Sequence, residues 1–117
     1  MQDIEKEIQE KGLTAPRITP QDIEDNIRSE HYFTALDGVV GANGKDALII
    51  ESGTCGSIEL LTFCVLVLKN GFTVTGESAC ASPENFDAEL GRKIARQNAV
   101  NKIWPLMGYE LKERLSK

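Results

Sequence analysis

The sequence is poor in the residues that build most catalytic and metal centres. It has one histidine, His31, and three cysteines, Cys55, Cys64 and Cys80, in 117 residues. The cysteines lack the paired spacing of a zinc site, and one histidine adds no cluster. They are expected to be reduced structural thiols, with Cys64 buried as a small hydrophobe and Cys55 exposed. Long hydrophobic runs are missing too. The longest, Leu60–Leu68, falls far short of the roughly 20 residues that cross a bilayer as a helix. The first residues are polar and acidic, unlike a secretory leader, so a cytoplasmic location and no membrane partner are expected. Ser78 sits in Gly76-Glu77-Ser78-Ala79-Cys80, which is not a nucleophile elbow. Gly38–Gly44 is followed by no Gly-Lys-Ser/Thr, so it is not a phosphate loop. No repeat or heptad pattern occurs. These absences argue against an enzyme and against any bound metal or cofactor.

A broad basic surface is also absent. The net charge is −5 and is unevenly spread. Residues 1–30 hold eight Asp/Glu against four Lys/Arg; residues 88–117 hold seven Lys/Arg against three Glu. An acidic head and a basic tail do not suit a nucleic-acid polymer. They do permit a local anion site, or head-to-tail contacts between subunits.

The most informative stretch runs from Leu60 to Trp104. Leu60–Leu68 is a strand-like run, Asn70-Gly71 is a hairpin signal of the type I′ kind, and Phe72–Cys80 reads as a second strand. Ser82-Pro83, followed by Glu84 and Asp87, reads as a helix start. Phe86, Leu90, Ile94, Ile103 and Trp104 then form a helical stripe expected to face the core. Ala95 and Ala99 are small enough for another chain to approach. Gly91 suggests close packing on the sheet or a nearby ligand. Pro105 is expected to end this helix, and Tyr109–Leu115 to form a last short one.

In the N-terminal half, Met1–Lys11 reads as a short amphipathic helix through Ile4 and Ile8, with Gly12 as its stop, and 1–18 as a segment free to move. Thr19, Pro20 and Asp22 form a capping box for a second helix, with Ile23 and Ile27 buried and an end near Arg28–His31. Tyr32–Leu36 and Ala47–Ile50 are candidate strands. Asp37-Gly38 and Gly41–Gly44 suggest turns, Glu51–Ser57 a loop, and 42–58 a variable insertion. The Leu60–Leu68 strand is apolar on both faces, and one helix covers only one face of a small sheet. A homo-oligomer, dimer or hexamer, is therefore expected to cover the other.

One constellation offers binding chemistry. Ser78, Asn85, Phe86, Arg92, Arg96 and Asn98 gather at a strand end and helix start, and Phe72 offers a further aromatic ring. Guanidinium forks and helix-start N–H groups suit phosphate, and aromatic rings stack on bases. The ligand class implied is a small anionic nucleotide. The alternative is structural: Asn85 caps, Phe86 is core, and the arginines pair with acidic residues or line a subunit interface.

The runs Leu61–Cys80, Ser82–Asp87, Ala95–Ala99 and Lys102–Leu106, with Thr19–Ile23 and Glu30–Ala35, resemble a family of small phage and prophage proteins. That family is named for the gp-forty-nine and gene-sixty-six products of tailed phages. The family in turn resembles the Thoeris anti-defence type-one proteins. Those are sponges that sequester glyco-cyclic ADP-ribose, and some sequester CBASS cyclic oligonucleotides as hexamers. The resemblance implies a non-enzymatic counter-defence sponge whose ligand sits between subunits. A second hypothesis is a small phage protein that binds a host protein through its acidic N-terminal helices; a third is a structural module of a phage assembly. The fold expected is one α+β domain over 1–117: a small antiparallel sheet built on the 60–80 hairpin, packed by a long C-terminal helix, with short N-terminal helices.

Overall fold

A three-stranded antiparallel sheet carries one long helix on one face. The computed structural model describes residues 2–44 and 54–117. Its elements are α1 (Gln2–Glu10), α2 (Pro20–Asp25), β1 (Ile27–Thr34), α3 (Ala35–Asn43), α4 (Thr54–Glu59), β2 (Leu61–Leu68), β3 (Thr73–Ala79) and α5 (Ala88–Leu115). The strand order is β1-β2-β3, with Tyr32, Cys64 and Gly76 on one rung and Thr34, Thr62 and Ser78 on another. The expected α+β architecture is the one observed.

The core is small. Cys64, Leu66, Leu68 and Val74 from the sheet meet Ala95, Ala99, Val100 and Ile103 from α5, and Ile23 of α2 closes one side. A methyl group added at Gly76 would overlap the Ala95 carbonyl oxygen and the Ala99 amide nitrogen. The helix backbone therefore lies directly on the strand, which only a glycine opposite two alanines allows. Ala95 and Ala99 serve this internal contact rather than contact with another chain. Gly91 is likewise close to the sheet, over Thr62.

Several elements differ from the sequence-based expectation. The core stripe of α5 is Ala95, Ala99, Val100 and Ile103. Leu90 and Ile94 face outward at 54% and 44% exposure. The close approach at Gly76 selects the small-residue face and points Leu90 and Ile94 away, while Ile103 of the expected stripe is buried and Trp104 packs against the core. Ser82-Pro83 opens a single 3-10 turn, Pro83–Asn85, and Ser82 makes no cap bond. The helix proper starts at Ala88, where the Asp87 carboxylate accepts from the Leu90 amide at 3.1 Å. Pro105 does not stop it: α5 runs 28 residues to Leu115. Proline removes only the one N–H bond to the Asn101 carbonyl, and Asn101 is an exposed residue. The hairpin loop has positive φ at Gly71 alone. The Asn70 side chain accepts from the Phe72 amide at 2.9 Å, and Gly71 N–H donates to the Leu68 carbonyl. This is a three-residue loop rather than a type I′ turn.

The N-terminal half shows the same mixture. Thr19 and Asp22 form the expected capping box. The helix ends at Asp25, however, and Ile27 already belongs to β1, which is bulged between Ile27 and Ser29. The turns expected at Asp37–Gly44 are instead α3, capped by a second box of Thr34 and Asp37. The loop expected at Glu51–Ser57 runs into a helix, Thr54–Glu59. The strand expected at Ala47–Ile50 lies outside the described residues, as does the side chain of Cys55. The far face of β2, Leu61, Phe63, Val65 and Val67, stays half-buried. Phe33 stacks on Phe63 at 5.4 Å there, and Gly38 of α3 packs over the Phe33 ring.

Gly76→Ala is expected to cost about 3 kcal/mol, roughly 12 °C in Tm, because backbone cannot yield as a side chain can. Gly108→Ala, in open space on the same helix, should stabilise by up to about 1 kcal/mol. Thermal unfolding of the two variants checks both.

Candidate functional site

At the end of the sheet away from the hairpin loop, the α5-facing surface changes from apolar to polar. Thr34, Thr62 and Ser78 stand side by side on one rung, so three hydroxyls cross the sheet in a row. Thr62 is buried. Gly91 of α5 passes above it, which lets the helix start lie low over this rung. Two shallow clefts open there. One, about 110 Å³, is lined by Tyr32, Thr34, Thr62, Phe86 and Arg92 among others. The other, about 130 Å³, includes Thr62, Ser78, Asn85, Phe86 and Gly91. Phe86 and Thr62 line both, so the two clefts adjoin and share Phe86 as a wall.

Four of the seven residues singled out from sequence, Ser78, Asn85, Phe86 and Arg92, thus share one place. Arg92 is exposed and makes no hydrogen bond or ion pair with the described residues. Two carboxylates also line the clefts, and both are engaged in capping: Asp37 accepts from the Thr34 amide and Asp87 from the Leu90 amide. The Asp87 cap means that the Leu90 N–H at the start of α5 is already satisfied.

The other three residues lie elsewhere. Phe72 is exposed on the hairpin loop, at the opposite end of the sheet. Asn98 Nδ2 donates to the Glu77 carbonyl at 2.8 Å, pinning α5 to the edge strand β3. Arg96 forms a fork with both oxygens of Glu24, at 2.8 and 3.2 Å, while its Nε donates to Glu30 at 3.1 Å. These bonds hold its guanidinium strongly in the charged form, with the Glu24 bonds the larger cause. The acidic head and basic tail of the sequence are thereby joined partly within one chain.

Beside this triad, the Tyr32 hydroxyl donates to Glu30 at 3.0 Å. Burial first, and this bond second, push the phenol up to about 12. Burial also pushes the Cys64 thiol up, which suits an inert structural cysteine. Among the described residues no group of three His, Cys, Asp or Glu side chains is placed to hold a metal ion, and no helix is long and apolar enough to cross a membrane. Sequence reasoning missed Thr34 and Thr62. The signal was Thr62 itself, a hydroxyl inside an otherwise apolar strand.

Arg96→Ala leaves Glu24 and Glu30 facing each other and is expected to cost about 1 kcal/mol, limited by solvent screening. Arg92→Ala should change stability by less than about 0.5 kcal/mol; urea unfolding separates them. The raised Tyr32 value adds stability that is intact below pH 10, the ordinary phenol value, and lost as pH climbs towards 12. Alkaline unfolding of Tyr32→Phe should lack that component, and phenolate absorbance should lose its late-titrating step.

Comparison with curated proteins finds no match, and comparison with solved structures finds none. A family model matches residues 18–115, a span that contains the whole sheet, α5 and every residue of the hydroxyl rung. The chain belongs to the phage protein (N4 Gp49/phage Sf6 gene 66) family.

Proposed function

We propose that this phage protein is a non-enzymatic sponge that binds a small cyclic nucleotide signal across the Phe86 wall and holds it without hydrolysis. The observation that carries the reading is the Arg92 guanidinium, without a partner among the described residues, beside an aromatic ring and a row of three hydroxyls. An arginine with no internal partner keeps its planar fork free for phosphate. The Phe86 ring offers a stacking face, and the hydroxyls of Thr34, Thr62 and Ser78 offer both donors and acceptors. Arg96, by contrast, is committed to Glu24 and Glu30, so the anion contact falls to Arg92.

The two clefts are each smaller than the roughly 300 Å³ at which pockets usually begin to enclose a ligand. A cyclic nucleotide lying across both keeps one side open, which suits a lid supplied by a neighbouring subunit. The likeness to Thoeris anti-defence sponges names the first ligands to try: glyco-cyclic ADP-ribose, then CBASS cyclic di- and trinucleotides. The acidic N-terminal residues offer less to a host protein than their number suggests, since Glu5, Glu24 and Glu30 are already paired within the chain.

Calorimetry against that panel tests the reading. Binding of one member is expected to weaken at least about 10-fold in Arg92→Ala, the loss of one charge-assisted contact of about 1.5–3 kcal/mol, and in Phe86→Ala. Denaturing the complex should return the ligand intact. Recovery of hydrolysed product, or no binding to any member, overturns it.

A further inference from the structure

The hairpin end of the molecule is built differently from the ligand end, because α5 outruns the sheet. Its 28 residues span about 42 Å, against roughly 27 Å for an eight-residue strand. The last fully buried residue of α5 is Ile103; beyond it Leu106, Tyr109 and Leu115 are exposed, and Met107 and Leu111 only half-buried. Two hollows of about 430 and 460 Å³ run along this overhang and share Asn26, Met107 and Arg114. Phe72, 56% exposed on the hairpin loop, and Leu106 form the apolar wall of the larger one.

At the other extreme of the chain, α1 makes no substantial packing contact with any element. It is tied to the body by Arg17, whose two terminal nitrogens donate to Glu5 at 2.7 and 2.8 Å. Held that way, α1 leaves Ile4 60% exposed and Leu13 in solvent, with Ile8 half-buried, although Arg17 itself lines one of the hollows. The radius of gyration is 18.4 Å, where a compact chain of this length has roughly 13 Å. The apolar stripe of α1 and the apolar hollow beside α5 are thus both unfilled within one protomer.

The hollow's own lining is balanced, since Glu110 pairs with Arg114 at 2.8 Å, but α1 is net negative and the α5 overhang around the hollow is net positive. The helix α1 carries Asp3, Glu5, Glu7 and Glu10 against Lys6. The stretch from Lys102 to the end carries Lys102, Lys112, Arg114 and Lys117 against Glu110 and Glu113. We propose that α1 of one protomer docks by Ile4 and Ile8 into the hollow between Phe72, Leu106 and Met107 of a second copy, and that the second copy returns its own α1. The mode is an amphipathic helix in a groove, with anchors four residues apart. The exchange is reciprocal, so the contact closes as a two-fold dimer instead of growing into a fibre. The family match begins at Ile18, so the docking helix lies outside the matched body while the hollow that receives it is mostly inside.

Sedimentation of the full chain tests this independently of any ligand, because the clefts of the ligand site lie at the other end of the sheet. The wild type is expected to run as a dimer at micromolar concentration. Ile4→Asp/Ile8→Asp, and separately Leu106→Asp, should each halve the apparent mass. Neither should alter the circular dichroism, since all three side chains are at least partly exposed. Mixing the two variants should not restore a full dimer, because each mixed pair retains only one of its two docked helices. A monomeric wild type would mean that α1 serves its own protomer or none, and would overturn the proposal. So would a dimer that survives both variants and is broken by Val65→Lys, which would place the interface on the open sheet face.

Discussion

The close contact of Gly76 with Ala95 and Ala99 sets the geometry of nearly everything else. With no side chain between them, helix and strand backbones lie in direct contact. That contact fixes both the height and the rotation of α5 above the sheet. Rotation then decides which residues are core. Ala95, Ala99, Val100 and Ile103 turn inward, Arg96 turns towards the β1 edge where Glu24 and Glu30 meet it, and Asn98 reaches the Glu77 carbonyl on the β3 edge. The two edges of the sheet are thus gripped from one helix by side chains two residues apart, one charged and one neutral.

The same contact explains which parts of the structure were legible in the sequence. Local signals with a single physical meaning read correctly: Asn70-Gly71 as the site of the hairpin, Thr19-Pro20 with Asp22 as a capped helix, and the apolar run as the central strand. The buried stripe of α5 did not, because a search for large apolar residues at helical spacing favours Leu90 and Ile94 over alanine. Burial in this protein follows from backbone proximity, and Gly76, the residue that permits it, carries no side chain to mark its importance. The α3 helix was missed for a related reason. Glycines at 38 and 41 suggested turns, yet Thr34 and Asp37 supply the same reciprocal cap that was recognised at Thr19 and Asp22.

The candidate site was half visible. Sequence reasoning gathered Ser78, Asn85, Phe86 and Arg92 around the start of α5, where the fold sets them along two adjoining clefts, because they are near in sequence to one strand end and one helix start. Arg92 and Arg96, four apart on a helix, seemed equivalent. Only the fold separates them, since Glu24 and Glu30 approach Arg96 from 72 and 66 residues away. The hydroxyl rung was out of reach for a similar reason. Thr34, Thr62 and Ser78 come from three strands, and strand register, rather than spacing along the chain, makes them neighbours.

Placing a polar rung at one end of an apolar sheet face has an energetic consequence that bears on function. Buried hydroxyls add little to stability when satisfied and cost about 1–3 kcal/mol when not. Among the described residues no buried side-chain polar atom lacks a partner, so a threonine at position 62, beneath a helix start and between two further hydroxyls, escapes that penalty but adds little to holding α5 down, where valine of similar volume would serve. Gly91 adds a cost, since it weakens the helix by about 1 kcal/mol relative to alanine where the helix begins to cover the sheet. Both choices keep the start of α5 low and polar over the sheet, and both sit beside Arg92, the arginine of the pair without a partner among the described residues. A core built only for stability has no need of that combination, which is why the ligand proposed above is placed at this end of the sheet.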